Sequence, residues 1–148
     1  MKLSAQEEYG LRCLLRLASA GDGESVSIPE IGHAEGLSVA YVAKLMRILR
    51  RGKLVKSVRG QSGGYTLARS AENIPVGEVL AILGGRLFEP GFCDQFAGLK
   101  TVCTHSVDCS IRSLWSAVQR AVDEVLTGVT LKDLLQKESE MSVRLQPS

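Results

Sequence analysis

Tyr41 to Arg69 reads YVAKLMRILRRGKLVKSVRGQSGGYTLAR, and this stretch decides the fold. Its first half is helical. Val42, Leu45, Met46 and Leu49 recur at the spacing of one face of a 3.6-residue period, and Tyr41, Lys44 and Arg47 take the opposite face. Ser38 stands at the N-cap position and Gly52 just past the end. The second half holds two β-patterned runs, LVKSV (54–58) and YTLA (65–68), separated by RGQSGG. Short strands around a glycine-rich turn make a hairpin. A basic helix that feeds a glycine-tipped hairpin predicts a winged helix-turn-helix, provided that helices precede it.

They do. Ser4-x-x-Glu7 is a capping box, and Leu11, Leu14, Leu15 and Ala18 continue at helical spacing until Gly21-Asp22-Gly23. The spacing predicts a helix over 4–20. Ser27-x-x-Glu30, with Pro29 in the first turn, opens a short second helix through Ala34 that stops at Gly36. After the hairpin, Pro75 to Leu83 form a short helix ended by Gly84-Gly85. Ile111, Leu114, Trp115, Val118, Val122 and Val125 then stripe a long amphipathic helix. One apolar stripe on a long helix beside a small wing domain predicts a dimer seam. Thr130-x-x-Asp133 caps a short last helix, LKDLLQK, and the polar tail after it is expected to fray.

The fold class expected is therefore mainly α with a small β-wing: a winged helix-turn-helix plus a long dimerisation helix. Residues 1–85 form the DNA-binding domain, 86–109 a cysteine-bearing loop, 110–137 the dimerisation helix with its short C-terminal helix, and 138–148 a flexible tail.

The 148 residues are 45% hydrophobic, 23% charged and only 5% aromatic, which suits one globular domain with an aliphatic core. The net charge of +2 is small, but Lys44, Arg47, Arg50, Arg51, Lys53, Lys56 and Arg59 fall in one block without Asp or Glu. That block is a local positive field. Ser38, Tyr41, Lys44 and Arg47 are candidates for phosphates and base edges. Arg59, with Gln61 and Ser62 at the hairpin tip, suits the narrow minor groove of A·T-rich DNA. No apolar run approaches the ~18 residues of a membrane span. No signal peptide opens the chain, so a cytoplasmic protein is expected. No catalytic triad, phosphate loop or acid–base pair is visible, and no enzyme activity is expected.

Chemistry concentrates instead in GFCDQFAGLKTVCTHSVDC (91–109), which holds Cys93, Cys103 and Cys109. Reducing cytoplasm keeps thiols free, so clustered cysteines suggest metal or redox chemistry. Zinc usually shows a tight C-x-x-C knuckle, which is missing. Iron–sulfur ligation tolerates longer loops. A thiol switch and inert thiols stay open beside it. Cys13, mid-helix beside Leu14, reads as core. His105 between two of the cysteines is a candidate fourth ligand, and His33 suits the end of the second helix. Glu8 and Arg12 stand one turn apart and could form an ordinary surface ion pair.

The opening MKLSAQEEYGLRCLLRLA, the run YVAKLMRILRRGKLVKSVRGQSGGYTLAR, the three cysteines and the closing LWSAVQRAVDEVLTGVTLKDLL together resemble the bacterial winged-helix iron–sulfur regulators typified by IscR and NsrR. The resemblance spans nearly the whole chain. It implies a homodimer bound to a palindromic double-stranded DNA operator, one iron–sulfur cluster per subunit on Cys93, Cys103 and Cys109, and Glu8 reaching the cluster of the other subunit. It leaves 2Fe-2S and 4Fe-4S both open. Two departures stand out. The spacer from Cys93 to Cys103 is longer than the family's, and Arg112 occupies a position where some members place a histidine ligand. The function expected is a transcriptional repressor controlled by a cluster that senses iron, redox state or nitric oxide. The rivals are a thiol-redox regulator without a cluster and a small electron-transfer protein.

Overall fold

The structure, a computed structural model, describes residues 1–60 and 63–147. Helix α1 (Ala5–Ala20) starts at Ser4, whose hydroxyl accepts the Glu7 N–H while the Glu7 carboxylate accepts the Ser4 N–H. Helix α2 (Ile28–Glu35) starts at Ser27, and its Glu30 carboxylate bonds the Ser27 hydroxyl. The turn to helix α3 (Val39–Arg51) passes through Gly36 at φ 70°, and the Leu37 N–H reaches back to Gly32 O. Gly32 is required here, because a Cβ on it would lie 2.7 Å from the Leu37 carbonyl oxygen. That close approach lets α2 and α3 cross as a helix-turn-helix.

Strands β1 (Val55–Val58) and β2 (Gly64–Leu67) pair antiparallel with Val55 opposite Leu67 and Val58 opposite Gly64. Each strand sits one residue from the sequence expectation, because Leu54 and Ala68 pair across the base of the hairpin as a closing bond outside the ladder. Val26 adds a bridge to Tyr65, with N–H to O distances of 2.9 Å both ways. Gly64 permits this approach: a Cβ there would fall 2.3 Å from Val26 O.

Helix α4 (Val76–Gly84) leads into the cysteine loop, which contains the one-turn helix α5 (Phe92–Gln95). Helix α6 (Ser110–Thr127) has 18 residues and spans about 27 Å. Chain after α6 turns back onto the wing domain. Val76 N–H bonds Val129 O, and Leu131 N–H bonds Ile74 O. Leu131 is fully buried in the same core as Leu14, Leu17, Ile31, Leu45, Met46, Leu49, Leu54 and Ile74. Residues 129–131 therefore pack with the wing domain, although they follow α6 in sequence.

Two expectations for the C-terminal end need correction. LKDLLQK does not form a helix beyond one 3₁₀ turn, Asp133–Leu135. Thr130 and Asp133 cap each other reciprocally, and Gln136 then leaves helical space. The expected flexible tail 138–148 contains helix α7 (Glu138–Arg144). Lys137 N–H bonds the Glu140 carboxylate at its start, and Arg144 grips Asp133 Oδ1 at 2.9 Å and Gly128 O at 2.8 Å. Those contacts tie down a polar segment that has no buried apolar side chain. Among the described residues no helix is long and apolar enough to cross a membrane.

Candidate nucleic-acid interface and thiol loop

Helix α3 buries Val42, Leu45, Met46 and Leu49, so its opposite face must be presented outward. Lys44, Arg47 and Arg51 are exposed there at i, i+3 and i+7, and Tyr41 is half buried beside them. Arg51 belongs to this stripe; the same spacing that placed Lys44 and Arg47 could have found it. Ser38 is exposed, and its oxygen accepts the Tyr41 N–H at 3.1 Å. Its O–H remains a donor. Arg59 is exposed at the end of β1, next to Gly60 at φ 118°. Gln61 and Ser62, the other expected wing contacts, lie outside the described residues. Lys44, Arg47, Arg51, Lys56 and Arg59 thus stand exposed on the recognition helix and the wing. That is the electrostatic footprint of a groove-binding module.

Cys93, Cys103 and Cys109 are all free and half buried. Cys93 lies in α5, next in sequence to Phe92, whose ring meets Phe88 edge to face at 5.1 Å and Phe96 in a tilted contact at 4.9 Å between centroids. Cys109 is the N-cap of α6: its Sγ accepts the Arg112 N–H at 3.3 Å. The start of the loop is pinned to the third and fourth turns of α6. Arg86 donates to Asp123 Oδ2 at 2.7 Å, Gln119 Nε2 donates to Asp123 Oδ1 at 2.9 Å, and Phe88 N–H donates to Gln119 Oε1 at 3.0 Å. The Arg86 guanidinium, and then the Gln119 amide, hold the Asp123 carboxyl below the usual carboxylate range. Gln119 is the buried residue of α6. It was missed as a functional position, although a polar residue four after Trp115 interrupts the apolar stripe.

Glu8 is exposed and accepts from Arg12 Nε at 2.9 Å. His105 is exposed within the loop. Neither approaches the thiols of its own chain as a ligand set: among the described residues no three His, Cys, Asp or Glu side chains are gathered to hold a metal ion. The donor chemistry does fit an iron–sulfur centre, because three thiols free of disulfides sit on one loop with little core packing. Cys13 plays no part. It is fully buried, and burial first, then the nearby Glu35 carboxylate, push its thiol up to about 11.

Of the six α6 residues expected at a dimer seam, Ile111, Leu114 and Val125 are 53, 55 and 60% exposed, and Trp115, Val118 and Val122 are half buried within the chain.

A helix-turn-helix with a two-stranded wing and a basic recognition face defines a winged-helix DNA-binding regulator. The comparison with known proteins says which kind. The family described as "Rrf2: Iron-dependent Transcriptional regulator" matches residues 3–137, and the chain belongs to this family. It is similar to protein rrf2 of Nitratidesulfovibrio vulgaris, 37% identical over 139 residues that cover 94% of this chain and 90% of that one. Among solved structures it is similar to T. potens IscR, with a TM-score of 0.71 and 31% identity over 100% of this chain and 93% of that one. It is also similar to CymR, "the Global Cysteine Regulator of B. subtilis", with a TM-score of 0.70 and 30% identity over 90% and 95%. The chain is thus a DNA-binding transcriptional regulator and not an enzyme.

Proposed function

We propose that the chain is a homodimeric repressor of palindromic operators whose DNA binding is set by an iron–sulfur centre on Cys93, Cys103 and Cys109. The observation that carries this reading is one loop with three free thiols, fixed at both ends to α6 through Gln119–Asp123 and the Cys109 cap. A second copy covers Ile111, Leu114, Trp115, Val118, Val122 and Val125 of α6. Pairing there sets the two recognition helices one DNA turn apart, roughly 34–36 Å. Glu8 of the second copy completes the ligand set, in exchange for its ion pair with Arg12. When bound, the centre supplies iron–thiolate bonds that respond to iron supply, oxidation or nitric oxide.

The rest is done by this chain's own side chains. Arg12 lies over the Tyr9 ring at 5.4 Å, and Tyr9 packs against Tyr41 at the start of α3. A change in what Glu8 bonds therefore alters the partners of Arg12, then the support of Tyr41. The loop moves the other end of the lever, because α6 joins it to residues 129–131 in the wing-domain core. Two arrangements of such packed contacts give two operator affinities.

The same free thiols, with the similarity to CymR, support a second reading: a thiol switch without a metal centre. Anaerobic purification separates the two. Iron and acid-labile sulfide in wild-type protein and in Cys13→Ala, lost in Cys93→Ala, Cys103→Ala and Cys109→Ala, support the first. Colourless protein whose operator affinity responds to a thiol oxidant supports the second. Metal-free protein with an operator affinity indifferent to oxidant overturns both.

A further inference from the structure

Arg112 stands in the first turn of α6, three residues past Cys109. It holds the loop at two points. Its backbone N–H donates to Cys109 Sγ at 3.3 Å, and its guanidinium donates through Nη1 to Ser106 O at 3.2 Å. The segment between those points is the last stretch of the thiol loop. Arg112 is half buried, and among the described residues its guanidinium forms no ion pair. Arg12, Arg16, Arg69, Arg86 and Arg144 do, whereas Arg47, Arg50, Arg51, Arg59 and Arg120 share its lack of one among the described residues. A guanidinium keeps its proton, so its charge cannot be relieved by titration. Thiols that bind metal do so as thiolates, and they bring negative charge to this loop.

We infer that Arg112 is a positioning and charge-tuning residue for the thiol centre. It holds Ser106 O through its guanidinium and puts a permanent positive charge on the last stretch of the thiol loop, without itself ligating metal. This rests on the iron–sulfur reading of the loop. Its two contributions are separable. The charge favours the more negative, reduced form of the centre and so raises the reduction potential. The guanidinium bond to Ser106 O holds the loop closed whatever the redox state. The backbone N–H that caps α6 is unaffected by side-chain substitution.

The test uses full-length protein reconstituted anaerobically with ferrous iron and sulfide, as wild type, Arg112→Lys and Arg112→Gln. Reduction potential and the rate of iron transfer to a chelator are measured, and circular dichroism checks the fold. Arg112→Gln is expected to shift the potential negative and to lose iron ~10-fold faster, the usual scale for a residue that supports metal ligands. Arg112→Lys is expected to keep the potential and to lose iron at an intermediate rate. In the metal-free proteins, amide exchange over residues 106–112 rises in both variants, because the bond to Ser106 O is lost. Wild-type values in Arg112→Gln, with iron and sulfide present in the wild type, overturn the inference alone. A potential in Arg112→Lys shifted negative of the wild-type value overturns the charge role, and this comparison stands even where Arg112→Gln fails to fold. Wild-type protein that takes up no iron overturns the underlying reading and the inference with it.

Discussion

Tyr9 of α1 and Tyr41 of α3 meet edge to face, with ring centroids 6.0 Å apart and planes at 87°. The contact joins the recognition helix to the helix that carries Glu8 and Arg12. Arg12 covers the other side of this arrangement, 5.4 Å from the Tyr9 centroid. Edge-to-face pairs contribute about 0.5–1.5 kcal/mol beyond their buried area. Tyr9→Leu should therefore leave the fold intact with a loss of roughly that size. Its larger effect should be on regulation: operator affinities of metal-loaded and metal-free protein should converge. Fluorescence anisotropy with both forms checks this. A difference between the forms as large as in the wild type would remove Tyr9 from the route.

Lys44 and Arg59 are both exposed and ion-pair-free among the described residues. Lys44→Ala and Arg59→Ala should weaken operator binding with no change in melting temperature. A phosphate contact at Lys44 predicts a salt slope lower by about one and equal losses on all sequences. A base contact predicts a loss of ~1–3 kcal/mol at one operator position. Operator titrations at several salt concentrations decide between them, and unchanged affinity in both variants would exclude this face from the interface.

The wing domain was legible because its signals are local. Ser4, Ser27 and Ser38 each mark a helix start by capping it, and the apolar period of α3 predicts the four residues it buries. The hairpin is off by a single residue at each strand. The C-terminal end was read less well for the opposite reason. Leu131 owes its burial to contacts with residues more than fifty positions away, and α7 is held by Arg144 reaching Asp133 and Gly128. Neither contact leaves a periodic trace. The three cysteines stand close together in the sequence, but a loop with few core contacts has no pattern that fixes how the thiols face. Gln119 shows the limit most plainly: its value lies in bonds to Phe88 and Asp123, and sequence shows only a polar residue in an apolar stripe.

Cys13 is fully buried with its thiol pushed up to about 11, whereas the loop cysteines are half buried. Only the thiolate is a good nucleophile, and buried thiols are also shielded from reagent. Metal-free native protein treated with iodoacetamide at pH 8 should label at Cys93, Cys103 and Cys109 and leave Cys13 unmodified until the chain unfolds. Peptide mass mapping reads the outcome. Labelling of Cys13 at the rate of the loop thiols would contradict the packing of α1.

Asp133 ties Thr130 to Arg144. The Thr130 backbone N–H is the main cause of its lowered pKa, with further help from the Thr130 hydroxyl and Arg144. A carboxyl whose folded pKa lies below its unfolded value of about 3.9 stabilises the fold above that value. The contribution is lost as pH falls through the lower, folded pKa. Wild type should therefore exceed Asp133→Asn in stability at pH 6, and the gap should close under strong acid. Urea melts at several pH values test it. A gap that widened on acidification would show that Asp133 acts by something other than its charge.

Glu8 poses the sharpest question, because its exposed ion pair with Arg12 already accounts for it within one chain. Such helix pairs contribute only about 0.3–0.5 kcal/mol, so Glu8→Ala should barely change stability. Its proposed role across the dimer predicts faster cluster loss instead. Mixed dimers separate the two. In a dimer of one Glu8→Ala chain and one Cys103→Ala chain, a ligand given across the interface leaves one site complete. That site has its three cysteines on the first chain and Glu8 from the second, while the other site lacks both. Clusters should then persist in the mixed dimer at about half the native occupancy, above either parent, because effects of subunits on a shared site follow the stoichiometry of the closed dimer. If Glu8 serves its own chain, both sites are defective and nothing recovers. If Glu8→Ala alone changes neither the absorption spectrum nor the rate of cluster loss, the Arg12 ion pair is its whole role and His105 becomes the next candidate ligand.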